Sequence, residues 1–230
     1  MMVSPEWYYE EYLKGKTAAE IMTKIRSLKK EIGHLKRILE DPSYPNREWA
    51  IHPSESVQLS CTKQYLEYAK KALAEAGGAY PLSQTDIKVA SFNERLVSLK
   101  QLDFRVFEFL GQSSAKTITI EPDVLVLSQE ELFYPDGIDS VEYQCEASDF
   151  IRMLQSFELG GWRRKYDTYR YGMVVMDGTS WELKLVFSDG SPSVRFTGDN
   201  AFPYNYTELV EYLDDLWSEG FENAISQIKE

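Results

Sequence analysis

The fold turns on Met176-Asp177-Gly178-Thr179-Ser180-Trp181-Glu182-Leu183-Lys184-Leu185-Val186-Phe187-Ser188-Asp189-Gly190. Trp181, Leu183, Leu185 and Phe187 alternate with Glu182, Lys184 and Val186, the period-two pattern of an antiparallel strand with one buried face. An Asp-Gly pair brackets it at each end, and such pairs supply the positive backbone angles that hairpin turns demand. The stretch predicts strand, turn, strand, turn, strand, with Ser193 to Thr197 closing a meander.

Beyond the loop Gly198-Asp199-Asn200-Ala201-Phe202-Pro203, the run Asn205-Tyr206-Thr207-Glu208 reads as a helix N-cap with Glu at the third position. The helix it opens would bury Tyr206, Leu209, Val210, Leu213, Leu216 and Trp217. On the other side, Phe150, Ile151, Leu154 and Phe157 form the apolar face of a short helix, with Ser148 as its cap and Gly160-Gly161 as its stop. Phe104 to Leu110, Thr117 to Ile120 and Val124 to Leu127 read as strands. Residues 81–230 are therefore expected to form an α+β domain, an antiparallel sheet with segregated helices.

The lead-in Trp162-Arg163-Arg164-Lys165-Tyr166-Asp167, the Asp177-Gly178 and Trp181 strand, Asp189-Gly190 and the Gly198 to Pro203 loop together resemble an uncharacterised bacterial domain family. Its members carry an Asp-Gly, Trp, alternating strand, Asp-Gly order and a Gly-x-Asn-Ala-aromatic-Pro loop. The resemblance covers residues 161–217. It implies a fold and brings no reaction, cofactor or binding residues.

Residues 1–80 have a different period. Pro5 to Leu13 is aromatic (Trp7, Tyr8, Tyr9, Tyr12) and predicts a short helix ending before Gly15. Thr17-Ala18-Ala19-Glu20 matches a capping box, and Ile21, Ile25, Leu28, Ile32, Leu35 and Leu39 follow at heptad spacing. That helix ends at Asp41-Pro42. A second runs from Val57 to Ala76 with the seam Leu59, Thr62, Leu66, Ala69, Leu73 and Ala76, and stops at Gly77-Gly78. The pattern predicts an antiparallel helical hairpin of coiled-coil character, with Gly77 to Asp86 as the hinge to the second domain.

The chain has 230 residues, 43% of them hydrophobic, and a net charge of −12. Residues 1–80 hold 12 Lys and Arg against 11 Asp and Glu, a net of +1, which leaves 13 against 26, a net of −13, for the remainder. Such an acidic surface disfavours general nucleic-acid binding and suits a basic partner. No run is long enough to span a membrane, and no signal peptide opens the chain, so a cytoplasmic location is expected. Cys61 and Cys145 are expected to be free thiols.

Motifs for chemistry are weak. Gly15-Lys16-Thr17 imitates the end of a phosphate-binding loop, but position 10 is Glu where that loop needs glycine, and the capping box accounts for Thr17. His34, on the long helix beside Ile32 and Leu35, and His52, in the loop before Pro53, are the only histidines, so neither a zinc site nor any cofactor is expected. The acidic segment Glu130 to Asp149 offers Asp136, Asp139 and Glu142 as cation ligands or as an acid–base pair; a solvated face is the alternative. Arg163, Arg164, Lys165 and Arg170, interleaved with Trp162, Tyr166, Tyr169 and Tyr171, form a basic and aromatic cluster suited to anionic ligands. Pairing with the acidic segment is the competing reading. Asp199, Asn200 and Phe202 lie in a loop at a helix start, which offers a place for an anion or a partner; the alternative is that Asn200 stabilises the turn and Phe202 plugs the core.

These features predict a non-enzymatic protein–protein interaction protein, an adaptor or regulator, with Arg163, Arg164, Lys165, Arg170, Tyr171, Asp199, Asn200 and Phe202 as partner-binding residues. Self-association through the heptad seams belongs to that expectation. Two alternatives stand beside it: an acidic inhibitor occupying a basic nucleic-acid site of a partner, phage- or defence-related, and a hydrolase using carboxylates near Asp136 and Asp139.

Overall fold

The computed structural model describes residues 3–44, 53–108, 113–131, 140–175 and 177–228. The chain divides into two compact units, Met1–Ser83 and Gln84–Glu230. Together they form an α+β protein with N-terminal helices and a mixed sheet.

The first unit holds α1 (Pro5–Tyr12), α2 (Ala18–Leu39) and α3 (Glu55–Glu75). Ser4 caps α1 by accepting from the Trp7 amide, with Pro5 in the first turn, where its missing N–H costs nothing. At the start of α2 the Thr17 hydroxyl accepts from the Glu20 amide, and the Glu20 carboxylate accepts from the Thr17 amide at 2.9 Å, the reciprocal box expected from the sequence. Ile21, Ile25 and Leu28 share one buried cluster with Tyr65, Leu66, Ala69, Ala72 and Leu73. Tyr65 and Ala72 widen the buried stripe of α3 beyond the heptad positions, because α1 also packs there. Tyr8 stacks on Tyr65 at 4.3 Å, and the Tyr65 hydroxyl accepts from the Val3 amide and donates to the Val3 carbonyl. Ala76, expected on the seam, is exposed and caps the helix end.

The second unit opens with α4 (Gln84–Leu96), whose first turn takes the end of the stretch expected to be hinge. Then follow β1 (Leu99–Glu108), β2 (Ser114–Ile120), β3 (Val124–Glu131), β4 (Ser140–Gln144), α5 (Ala147–Ser156), β5 (Lys165–Asp167), β6 (Thr179–Phe187), β7 (Val194–Asp199) and α6 (Tyr206–Ile228). The strands form one sheet in the order β4-β3-β2-β1-β6-β7-β5. Register sets its core. Val141, Leu127, Ile118, Leu102, Leu185 and Val194 stand opposite one another across six strands, and all are buried. The other face carries charge pairs, Lys184 with Asp103 at 3.4 Å and Arg195 with Glu182 at 3.4 Å.

The meander is corrected at its first strand. Residues 173–175 have no regular structure, Asp177-Gly178 is not a hairpin turn, and β6 pairs with β1 and β7. Gly178 keeps a positive φ of 131° because Asn200 leaves no room for a side chain: a Cβ there would lie 1.9 Å from the Asn200 oxygen. The short β5 pairs with β7 in parallel, which makes the sheet mixed where an antiparallel one was expected. The second turn is as read, with Gly190 at φ 77° and the Asp189 carboxylate accepting from the Ser191 amide and hydroxyl.

Two helix-end assignments change, and Asn205 keeps its place before α6 but uses its side chain elsewhere. Ser148 lies inside α5 and donates to Glu146, which holds the N-cap position. Gly160 does not stop that helix; it lets a short 3-10 turn press on α4, where a Cβ would come within 2.6 Å of the Phe92 Cβ. Asn205 spends its side chain in the core, accepting from the Trp162 indole at 2.9 Å and donating to the Phe157 carbonyl at 2.8 Å. Ser4 and Thr17 cap on exposed helix ends, whereas Asn205 is buried and its amide is claimed by tertiary partners.

Candidate functional site

Trp181 holds one end of the sheet together. Its indole donates to the Ala201 carbonyl at 3.0 Å, and its ring lies 6.1 Å from Trp162, 6.0 Å from Tyr166 and 4.9 Å from Tyr206. Gly198 is the residue that admits it, since a Cβ there would lie 2.1 Å from the indole nitrogen. This aromatic knot fixes the chain on the opposite face of the same strands.

On that face the register places Phe107, Ser180, Asp199 and Asp167 side by side across β1, β6, β7 and β5. With Glu108 and Asp177 they line a groove of about 460 Å³. Asp199 accepts from the Ser180 hydroxyl at 2.7 Å, and Asp167 accepts from the Arg170 amide and pairs with Lys165 at 3.5 Å. Glu108 and Asp177 are exposed, and neither carboxylate is engaged in an ion pair or side-chain hydrogen bond among the described residues. Asn200 locks the rim at φ 50°: its oxygen accepts from the Thr179 amide at 2.8 Å and its nitrogen donates to the Asp177 carbonyl at 3.2 Å.

The groove thus presents four carboxylates, and none of its described lining residues is Lys or Arg. Carboxylates gathered in a concave surface focus a negative potential and attract cations. Exposed apolar side chains line it as well: Tyr169 at 71% exposure, Phe107 at 45% and Val175 at 40%. Among the described residues no group of three or more His, Cys, Asp or Glu is placed to hold a metal ion.

The residues singled out in the sequence separate into two sets. Asp199 and Asn200 line the groove. Arg163 stacks on Tyr166 at 4.4 Å and Arg164 on Phe196 at 4.7 Å, so both guanidiniums are used against aromatic rings. Desolvation, and after it the neighbouring Arg95, lowers the pKa of Arg164. Arg170 is exposed and Tyr171 half-buried, and Phe202 packs on Tyr206 at 4.7 Å. Lys165 is exposed and pairs with Asp167, which lines the groove beside Asp199. Asp136, Asp139 and His52 lie outside the described residues; His34 is exposed on α2, and Cys61 and Cys145 are free.

Burial raises the pKa of Tyr204, Tyr206 and Tyr212, and the hydrogen bond to Glu219 pushes Tyr143 up to about 12, so all four stay neutral donors at physiological pH. Glu108, the carboxylate that sequence reading missed, carries no local signal; only the pairing of β1 with β6 brings it beside Asp177.

No protein-family model matches the chain, and no significant match is found to a curated protein or a solved structure. No helix among the described residues is long and apolar enough to cross a membrane.

Proposed function

We propose that this chain is a non-enzymatic binding protein whose sheet unit holds a basic segment of a protein partner in the carboxylate groove. The observation that carries this reading is the pair of unengaged carboxylates, Glu108 and Asp177, in an acidic groove edged by exposed apolar side chains. Charge supplies attraction and register, while the aromatic and aliphatic rim supplies area to bury. The test is a titration with a Lys- and Arg-rich peptide bearing one apolar side chain. Saturable binding that weakens with salt is expected, and Glu108→Gln with Asp177→Asn should weaken it about tenfold, as two exposed ion pairs allow. Binding indifferent to both salt and the double substitution would overturn the reading.

The helical unit enters this proposal as an antiparallel hairpin of α2 and α3, supported by the cluster their side chains share. Ile21, Ile25, Ala69 and Leu73 are no more than 2% exposed within the chain, so the seam is already occupied. We therefore expect a monomer in sedimentation at high concentration. A dimer abolished by substitutions along that seam would restore self-association through the heptads.

A further inference from the structure

The helical unit carries a second concavity, which the groove reading does not use. Ser4, Trp7, Tyr8 and Tyr12 from the first helix and its cap, Lys24 from α2 and Tyr65 from α3 line a cleft of about 1010 Å³. The walls are aromatic and differ in what they already touch. Tyr8 and Tyr65 stack face to face, 4.3 Å apart and 9° from parallel, so they form a closed back wall. Trp7 and Tyr12 meet edge to face at 5.8 Å and 75° and remain open, 48% and 38% exposed. An indole and a phenol left half in water on an eight-residue helix represent unused stacking surface.

Charge in the cleft has one sign. Lys24 is the sole charged side chain among its described lining residues, and its ammonium rests 5.1 Å from the Tyr12 ring centre with no carboxylate in ion-pair contact among the described residues. An exposed cation–π contact is one of the weaker uses of an ammonium and is readily exchanged for an anion. Tyr8 and Tyr12 line the same cleft, and their hydroxyls make no hydrogen bond among the described residues. A cationic ligand is disfavoured by Lys24, and a purely apolar one would leave the ammonium and both hydroxyls without partners.

We infer that this cleft binds a planar aromatic anion, a flat ring stacked on Trp7 whose carboxylate or phosphate is held by Lys24. The ligand is opposite in charge to the segment expected in the sheet unit's groove, so the two sites fail or succeed separately. Two probes distinguish the anionic group: 2-naphthoate and adenosine 5′-monophosphate, each against its neutral counterpart, 2-naphthamide and adenosine. Calorimetry on the full chain should show saturable binding of at least one anion and weaker binding of its neutral counterpart. Lys24→Met should weaken that anion about tenfold and Lys24→Arg should restore most of it. Trp7→Ala should weaken the anion and its counterpart alike. Thermal melts of the three variants control for folding, since Trp7 and Lys24 are exposed. Saturation by neither anion at millimolar concentration, equal affinity for a neutral counterpart, or an unchanged affinity in a folded Lys24→Met variant overturns the inference.

Discussion

The two units differ in how their side chains come to be neighbours. In Met1–Ser83, residues that meet recur at three and four along a helix, so the buried stripe of α2 is written in the order of its own sequence. In Gln84–Glu230, the residues that meet belong to strands far apart in sequence and are brought together by register, as Phe107, Ser180, Asp199 and Asp167 are. Charge follows the same division. Residues 81–83 are uncharged, so the helical unit is nearly neutral at +1 and the sheet unit holds the −13. The helical cleft offers a single cation among aromatic rings, while the sheet groove offers carboxylates among apolar side chains. Substitutions that act on one unit alone test whether the division is real.

The largest effect is expected at Trp181. Trp181→Ala removes a buried ring in contact with three other aromatic rings and leaves the Ala201 carbonyl without its donor. Large-to-small changes of this kind cost about 3–5 kcal/mol. Denaturant unfolding should show that loss in the transition of the sheet unit. A variant as stable as the parent would mean that the knot does not organise this end of the sheet.

Next is Asn205→Ala, which strips the Trp162 indole and the Phe157 carbonyl of their partner in a buried place. A buried polar group left unsatisfied costs about 1–3 kcal/mol. Asn205 also separates what a sequence can tell from what it cannot. Its position before Tyr206 and Glu208 resembles a cap because caps are local, and nothing local reveals that Trp162 and Phe157, far upstream, compete for its amide. The same limit explains the missing first strand of the meander. Asp177-Gly178 has the composition of a hairpin turn, yet β1 occupies the edge of β6 that a hairpin partner would have taken. The inward row Trp181, Leu183, Leu185 and Phe187 was legible, since alternation is a property of one strand. So were the Thr17 box and the face of α5. Of the groove, Asp199 and Asn200 were legible as a loop, and Glu108 was not, because it sits on a strand whose partner only the sheet identifies.

The smallest effect is expected in the helical unit, at a turn where sequence and structure agree. Thr17→Ala removes the hydroxyl that accepts from the Glu20 amide, and an N-cap of this type contributes about 1 kcal/mol. The Glu20 carboxylate is held below its ordinary pKa chiefly by the Thr17 amide, and then by the Thr17 hydroxyl. A carboxylate depressed in the folded state stabilises it above the unfolded pKa and loses that contribution as pH falls through the folded value. The box therefore stabilises α2 fully at neutral pH and fades on acidification below the usual carboxylate range. Glu20→Gln keeps an acceptor for the Thr17 amide but cannot titrate. Melts of parent and Glu20→Gln should differ at neutral pH and converge in acid, with Trp181 and its partners unaffected throughout. A difference that persists undiminished in acid would show that the ionised form of Glu20 is not what holds the turn.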